Sequence, residues 1–300
     1  MSATASSGDG SAGDRPSKLP PALYLVATPI GNLRDITLRA LDVLTAADAV
    51  ACEDTRRTGR LLRAHGITAS LISYHEHNAQ RALPGLLSKL AAGQAIALVS
   101  DAGTPLISDP GYRLVSEAAA AGVSVIPIPG PSSVLAALTA SGLPTDRFFF
   151  AGFPPAKAGA RRAFFAELAK VPATLVLLES PRRIVTTCKE LVAALGDRHA
   201  ALARELTKLH ETVLRERLST LATRYADGPP KGEAVLVIAP PEPAAVTPDA
   251  DEIDARLREA LVSQSVSEAA ASVAAATGMP RRALYARAVT LRQESDGAES

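Results

Sequence analysis

The chain has 300 residues, 47% of them hydrophobic, with 32 Lys and Arg against 31 Asp and Glu for a net charge of +1. That balance excludes a global basic field for nucleic acid, so any RNA affinity has to come from local clusters. Two cysteines without CxxC spacing exclude a disulfide framework and fit a reducing cytoplasm, and no apolar stretch is long enough for a membrane-spanning helix.

Residues 1–19 are rich in Ser, Gly, Ala and Asp and lack an apolar core, which predicts a disordered tail and no signal peptide. An N-terminal α/β domain is expected over 20–142. The apolar run 23–27 predicts a first strand, followed by the loop Thr28-Pro-Ile-Gly-Asn32. Asp35 is placed to cap a helix reaching 47, with Ile36, Ala40, Val43 and Leu44 on one face. The absence of GxGxxG removes support for a dinucleotide fingerprint. A short strand at 49–52 runs through Cys52, a small core residue, into Glu53-Asp54-Thr55. Arg56, Arg60 and Arg63 then fall on one helical face, with Arg57 beside them. Such a face is often merely solvated, but two carboxylates ahead of it point to the edge of a site. A strand at 70–74 ends in His75-Glu-His-Asn78; on an extended segment only His75 and His77 converge. A helix over 78–92 is expected to break or restart at Pro84.

The run 95–99 reads as a strand buried on both faces. It opens into Ser100-Asp-Ala-Gly-Thr-Pro105 and Ser108-Asp-Pro-Gly111, longer than an ordinary turn, before a helix at 112–121. Gly103 and Gly111 let backbone approach a ligand, and Pro105 and Pro110 stiffen the loop. In an open α/β sheet such a loop, at the carboxyl end of a strand, is where ligands sit. A strand at 123–126 leads to Pro127-Ile-Pro-Gly-Pro-Ser-Ser133, with Pro131 at a helix start and Ser132 and Ser133 in the first turn of a helix reaching 140. Alternating strands and helices predict a mostly parallel sheet.

A second α/β domain is expected over 143–240. Its strands fall near 147–151, 174–179, 200–204 and 234–239, and its helices near 161–169, 184–195 and 219–225. Basic residues gather at its strand ends: Lys157, Arg161 and Arg162; Arg182 and Arg183 after Glu179; Arg204 and Lys208. Residues 241–249 form a proline-rich linker. Three helices near 252–261, 267–277 and 280–291 make a helical extension over 250–292, and 293–300 form a second disordered tail. Gly278 just past one helix and Pro280 at the first position of the next predict a helix-turn-helix-like pair. Arg281, Arg282, Arg287 and Arg292 suit phosphate contact, while a helical cap stands as an equal alternative.

Asp-Ala-Gly-Thr-Pro at 101–105 with Ser-Asp-Pro-Gly at 108–111 resembles the central signature of the tetrapyrrole methylase superfamily. Val26-Ala-Thr-Pro-Ile-Gly-Asn-Leu33, Cys52-Glu-Asp-Thr-Arg-Arg57 and Pro127-Ile-Pro-Gly-Pro-Ser-Ser133 are similar to the branch that 2′-O-methylates a cytidine of small-subunit (16S) ribosomal RNA near the decoding centre. The matches run in order from about 23 to 238. The resemblance implies two α/β domains with a cofactor cleft between them, plus the helical extension. It implies S-adenosylmethionine as donor, bordered by Thr28 and Pro29, by Asp101, Ala102, Gly103 and Thr104, by Pro105 and Ser108, and by Pro129, Ser132 and Ser133. It implies no metal, so His75 and His77 are expected to form a polar lip of the cleft. A ribose hydroxyl is a poor nucleophile, so a base is expected, with Glu53, Asp54 and Glu179 as candidates. RNA phosphates are expected at Arg56, Arg57, Arg60, Arg161, Arg162, Arg182, Arg183 and Lys208. The partner implied is the 30S subunit or its RNA, in the cytoplasm, met by a homodimer to which Leu135 and Leu138 contribute. Methylation of a corrin precursor, and a nucleic-acid-binding regulator using the C-terminal helices, stay open as alternatives. The helical tail and the Thr-Pro-Ile-Gly-Asn loop favour RNA.

Overall fold

The apolar runs of the first half become five parallel strands among the described residues: β1 (Ala22–Val26), β2 (Ala49–Cys52), β3 (Leu71–Ser73), β4 (Ala95–Val99) and β5 (Val125–Ile128). Their order is β3-β2-β4-β1-β5. The structure, a computed structural model, describes residues 18–242 and 249–298. The expectations for 1–17, 243–248 and 299–300 lie outside the described residues. β2 and β4 are buried throughout because helices cover both faces of the sheet. On one face lie α1 (Leu38–Ala46) and α2 (Thr55–Ala64), through Ala40, Val43, Leu44 and Leu62. On the other lie α3 (Ala79–Ala91) and α4 (Tyr112–Ala120), through Leu83, Leu86, Leu90 and Leu114. With all strands parallel, the loops after them gather along one edge.

The second sheet has the order β6-β7-β10-β8-β9 and is mixed. It comprises β6 (Phe148–Gly152), β7 (Thr174–Glu179), β8 (His199–Arg204), β9 (Thr212–Arg217) and β10 (Ala234–Ile238); only β6 and β7 pair parallel. Alternation sorts its two faces. Leu175, Leu177, Leu202, Leu236 and Ile238 pack against α6 (Ala158–Leu168), α7 (Ile184–Leu195) and α8 (Leu218–Arg224). Val176, Ala201, Ala203, Val235 and Val237 face Val134, Ala137 and Leu138 of α5 (Ser133–Ala140). A helix of the first lobe thus covers the second sheet, and the chain up to Pro240 packs as one compact unit.

Local details correct the sequence reading. Thr37, not Asp35, caps α1, because its hydroxyl accepts the Ala40 amide at 3.1 Å. Pro84 sits inside a continuous α3: the carbonyl it leaves unpaired belongs to Gln80, an exposed residue. β5 runs on through Pro127, which an edge strand tolerates. β9, unrecognised as a strand because its second half is the charged run Arg215-Glu216-Arg217, is the other sheet's edge. Leu138 is buried between the lobes and is withdrawn from any dimer face, whereas Leu135 is exposed.

The C-terminal unit holds α9 (Ala250–Leu261), α10 (Val266–Thr277) and α11 (Arg281–Ala298) around Leu257, Leu261, Ala270, Val273, Leu284 and Leu291. α10 starts in a Ser265–Glu268 capping box and ends at Gly278 with φ 71°. α11 continues through 293–298, where a disordered tail was expected, since nothing before Gly297 disfavours helix.

Candidate active site

Three loops are knitted together at the carboxyl edge of the first sheet. Thr28, after β1, and Gly103, after β4, exchange both backbone hydrogen bonds at 2.9 Å. The Thr28 hydroxyl donates to the Ser100 carbonyl at 3.2 Å, and the Thr104 hydroxyl donates to Pro131 at 3.2 Å. Ser132 caps α5 by accepting the Leu135 amide at 3.4 Å, so Pro131 stands outside the helix and not at its first position. Of the expected donor contacts, Thr28, Thr104 and Ser132 therefore use their hydroxyls to shape the loops. Pro29, Ala102 and Pro129 line the rim, while Gly103 and Pro105 are buried beneath it. Ser108 is exposed, its hydroxyl 3.5 Å from where a Cβ on Gly152 would lie. Leu106 and Ser108 hold left-handed φ values of 72° and 63°, strain of the sort that collects at functional loops.

Two hollows flank the Thr28–Ile30 segment. One, of about 410 Å³, is lined by Thr28, Pro29, Leu33, Arg57, Arg60, Leu61 and Asp101. The other, of about 210 Å³, is mainly apolar and crosses between lobes, from Ile30 and Ser133 to Leu178, Glu179, Leu206 and Val235. The loop after β8 closes against it, with Glu205 and Thr207 at φ 49° and 66°. The Thr207 hydroxyl accepts the Asn32 amide at 3.1 Å. A Cβ on Gly31 would lie 2.5 Å from Lys208 Cγ and 2.8 Å from Thr207 Oγ1, so this approach requires glycine.

Carboxylates converge where β2 and β4 end side by side. Asp101 accepts the Asp54 amide at 3.1 Å and pairs with Arg57 at 3.2 Å. Asp54 caps α2 and receives the Arg56 amide at 2.8 Å and its guanidinium at 3.1 and 2.9 Å. The Arg56 hydrogen bonds hold its carboxyl down at about 2, which makes it a weak base. Glu53 moves the other way: burial, then Asp101, raise it, against Arg57 and His75. Asp109, which the sequence reading did not single out, is pushed up to about 6 by burial, then by Glu53, with the Ser100 hydroxyl opposing. Its only signal was its place in Ser-Asp-Pro-Gly. Glu179, the third candidate base, is tied into the protein. It is buried, its oxygens accept from the Ser180 amide at 2.7 Å, Arg183 at 2.8 Å and the Thr187 hydroxyl at 2.6 Å, and it anchors the start of α7. His75 and His77 lie in a turn, not an extended segment, with rings edge to face at 6.0 Å.

The cations divide into held and free. Arg161 is buried, grips Glu190 at 2.6 and 2.8 Å and donates to the Ala156 carbonyl; Arg183 is held by Glu179 and Pro154. Lys208 bridges Glu205 and Glu233 at 3.0 and 3.1 Å. All three are committed to carboxylates of the protein itself. Arg60, Arg63, Arg162 and Arg182 are exposed and make no ion pair among the described residues. Asp54, Thr55, Arg56, Arg57, Arg60 and Arg63 line a further hollow of about 670 Å³. In the C-terminal unit Arg287 binds both Asp254 oxygens, Arg281 donates to Ser267 at 3.0 Å and Arg292 to the Leu261 carbonyl at 2.8 Å. Arg282 alone of that group is left without such a partner among the described residues.

Residues 22–222 match the family model described as Tetrapyrrole (Corrin/Porphyrin) Methylases, and 247–292 match the RsmI C-terminal HTH domain. A Mesorhizobium japonicum protein named Ribosomal RNA small subunit methyltransferase I is 53% identical over 92% of this chain and 94% of its own length. A Synechocystis protein of the same name is 46% identical over 92% and 99%. Among solved structures, cobalt precorrin-4 methyltransferase shares the fold (TM-score 0.55, 20% identity, 73% of this chain and 95% of that one). Uroporphyrin-III C-methyltransferase from Thermus thermophilus, complexed with S-adenyl homocysteine, matches at TM-score 0.51 and 26% identity over 73% of this chain and 97% of that one. With family models and relatives covering nearly its full length, the chain belongs to the ribosomal RNA small subunit methyltransferase I family of the tetrapyrrole methylases.

Proposed function

We propose that the protein is an S-adenosylmethionine-dependent methyltransferase that modifies the 2′-hydroxyl of a cytidine ribose in small-subunit ribosomal RNA. The observation that carries this reading is the meeting, at Arg57 and Asp101, of a cationic hollow suited to phosphates and a second hollow whose single carboxylate, Asp101, can face a cationic donor. The named relatives direct it to ribosomal RNA.

The residues present fit the donor. Asp101 offers a fixed carboxylate to its cationic end, and the apolar hollow at Ile30, Leu178, Leu206 and Val235 suits an adenine ring. When bound, the donor supplies an electrophilic methyl on a positively charged sulfur that leaves as a neutral thioether. What is asked of the protein is alignment, so rigid, mutually hydrogen-bonded loops serve better than a nucleophilic side chain. Glu53 is the proton acceptor for the ribose hydroxyl: of the three carboxylates first considered, it is the one neither saturated nor held low. Arg60, Arg63, Arg162 and Arg182 position the phosphate backbone without reading sequence, and specificity comes from RNA shape and an exposed base. The enzyme works in the cytoplasm as a homodimer on the assembled 30S particle.

Tritiated methyl transfer to 30S subunits, free ribosomal RNA and tetrapyrrole precursors tests the reading, with digestion of the product to nucleosides. Label in 2′-O-methylcytidine from the 30S particle is expected; label in a base or in a corrin precursor refutes it. Light scattering should give twice the 31.0 kDa chain mass, and a monomer refutes the dimer.

A further inference from the structure

Arg57 belongs to two hollows at once. Like Arg60, it lines both the one that holds Asp101 beside Thr28 and Pro29 and the cationic one of Arg56 and Arg63, but of the two only Arg57 is paired with Asp101. Its partner Asp101 cannot follow if the pair opens, because the second carboxylate oxygen is tied to the Asp54 amide at 3.1 Å. The two side chains differ in exposure: 59% for Arg57 and 22% for Asp101. The carboxylate is thus the fixed, half-buried member and the guanidinium the solvated, movable one. An ion pair this exposed is weak and yields to a competing cation. Arg56 cannot take Arg57's place, since both its guanidinium contacts go to Asp54. Arg60 and Arg63, by contrast, have no carboxylate to draw them away from the groove among the described residues.

We propose that Arg57 couples the donor cleft to the phosphate groove. Without donor, its guanidinium neutralises Asp101. A cationic donor takes over Asp101, and Arg57 turns into the groove of Arg56, Arg60 and Arg63 to become a further phosphate contact. RNA then binds more tightly to the donor-loaded enzyme, and by reciprocity RNA tightens the donor by the same factor. The inference rests on the donor reading of Asp101 given above. It adds a positive linkage between donor and RNA, and makes Arg57 a positioning residue that need not touch the reacting atoms.

The test is fluorescence anisotropy of a labelled, cytidine-containing RNA hairpin at fixed salt, with no addition, with S-adenosylmethionine, and with saturating 5′-methylthioadenosine. The last lacks both the sulfonium and the amino-acid end. In the wild type, RNA affinity should rise about tenfold with S-adenosylmethionine only, within the usual range of such couplings. Arg57→Met should bind RNA equally in all three conditions, and should bind S-adenosylmethionine alone several-fold more tightly than the wild type, because Asp101 is then unopposed. Arg63→Ala, at a position that lines the cationic hollow only, should weaken RNA binding in every condition while keeping the ratio. Wild-type RNA affinity indifferent to S-adenosylmethionine, or a donor effect retained in Arg57→Met, overturns the coupling. Calorimetric titration of the wild type with S-adenosylmethionine separates the two levels. Binding without linkage sinks the coupling alone, and no binding sinks the donor reading with it.

Discussion

Asp101 is held from two sides, by the Asp54 amide and the Arg57 guanidinium, and neither contact contributes to the hydrophobic core. Asp101→Ala should therefore leave thermal unfolding nearly unchanged while lowering S-adenosylmethionine affinity at least about tenfold by calorimetry, the scale of a lost charge-assisted contact; wild-type affinity would reject its role. Asp109 has the opposite character. Burial, then Glu53, place its folded pKa at about 6, above its ordinary 3.8. Between those values the folded chain holds more protons than the unfolded one, so stability falls as pH rises through the window and stays reduced above it. Asp109→Asn should raise urea stability by about 1 kcal/mol at pH of about 7.5, a gap that narrows toward pH of about 4. An equal gap at both values would contradict this. These charged residues were legible as strand-end clusters. Which of them were free was not, because the partners of Arg161, Glu179 and Lys208 lie on other elements or across a loop.

At the scale of elements, loop contact decides more than propensity. Gly31 has no side chain because Lys208, Thr207 and Leu206 of the other lobe come within 2.5, 2.8 and 3.0 Å of where a Cβ would stand. Gly31→Ala should push the loop after β8 away from the apolar hollow. Weaker S-adenosylmethionine binding and a loss of about 1–3 kcal/mol in urea unfolding are expected; unchanged values of both would show that the loops do not need this closeness. The central strands β2, β4 and β7 and the helices α5 and α7 begin and end where apolar pattern and caps put them. β5 and β9 were harder: a proline and a charged run are compatible with strand only at a sheet edge, and edge position is a property of the assembled sheet.

For the whole molecule, the buried Arg161–Glu190 pair ties α6 to α7. Arg161→Ala should cost about 3–5 kcal/mol by leaving Glu190 unpaired, and should change RNA affinity only as far as folding is lost. Loss of RNA binding at unchanged stability would restore Arg161 to the substrate face. The C-terminal unit beyond Pro240 has its own core and a matched HTH domain. Deleting it should raise the apparent Michaelis constant for RNA and flatten its salt dependence, with S-adenosylmethionine affinity unchanged. Of Arg281, Arg282, Arg287 and Arg292 only Arg287 is ion-paired among the described residues, so the slope lost should be about that of the three remaining charges. An RNA dependence like that of the full chain would make the unit a structural cap.

The sequence by itself determined the α/β alternation, the long loop after β4 and the family, since each is written in local pattern: an apolar run, a glycine-proline loop, a motif of fixed spacing. Tertiary structure decided what the charges do. It put α5 over the second sheet, set Glu53, Asp101 and Asp109 close enough to perturb one another, and split the arginines into held and free. The physical reason is that a charge's role depends on burial and on partners within a few ångströms, and residues such as Arg161 and Glu190 meet only once the chain has folded.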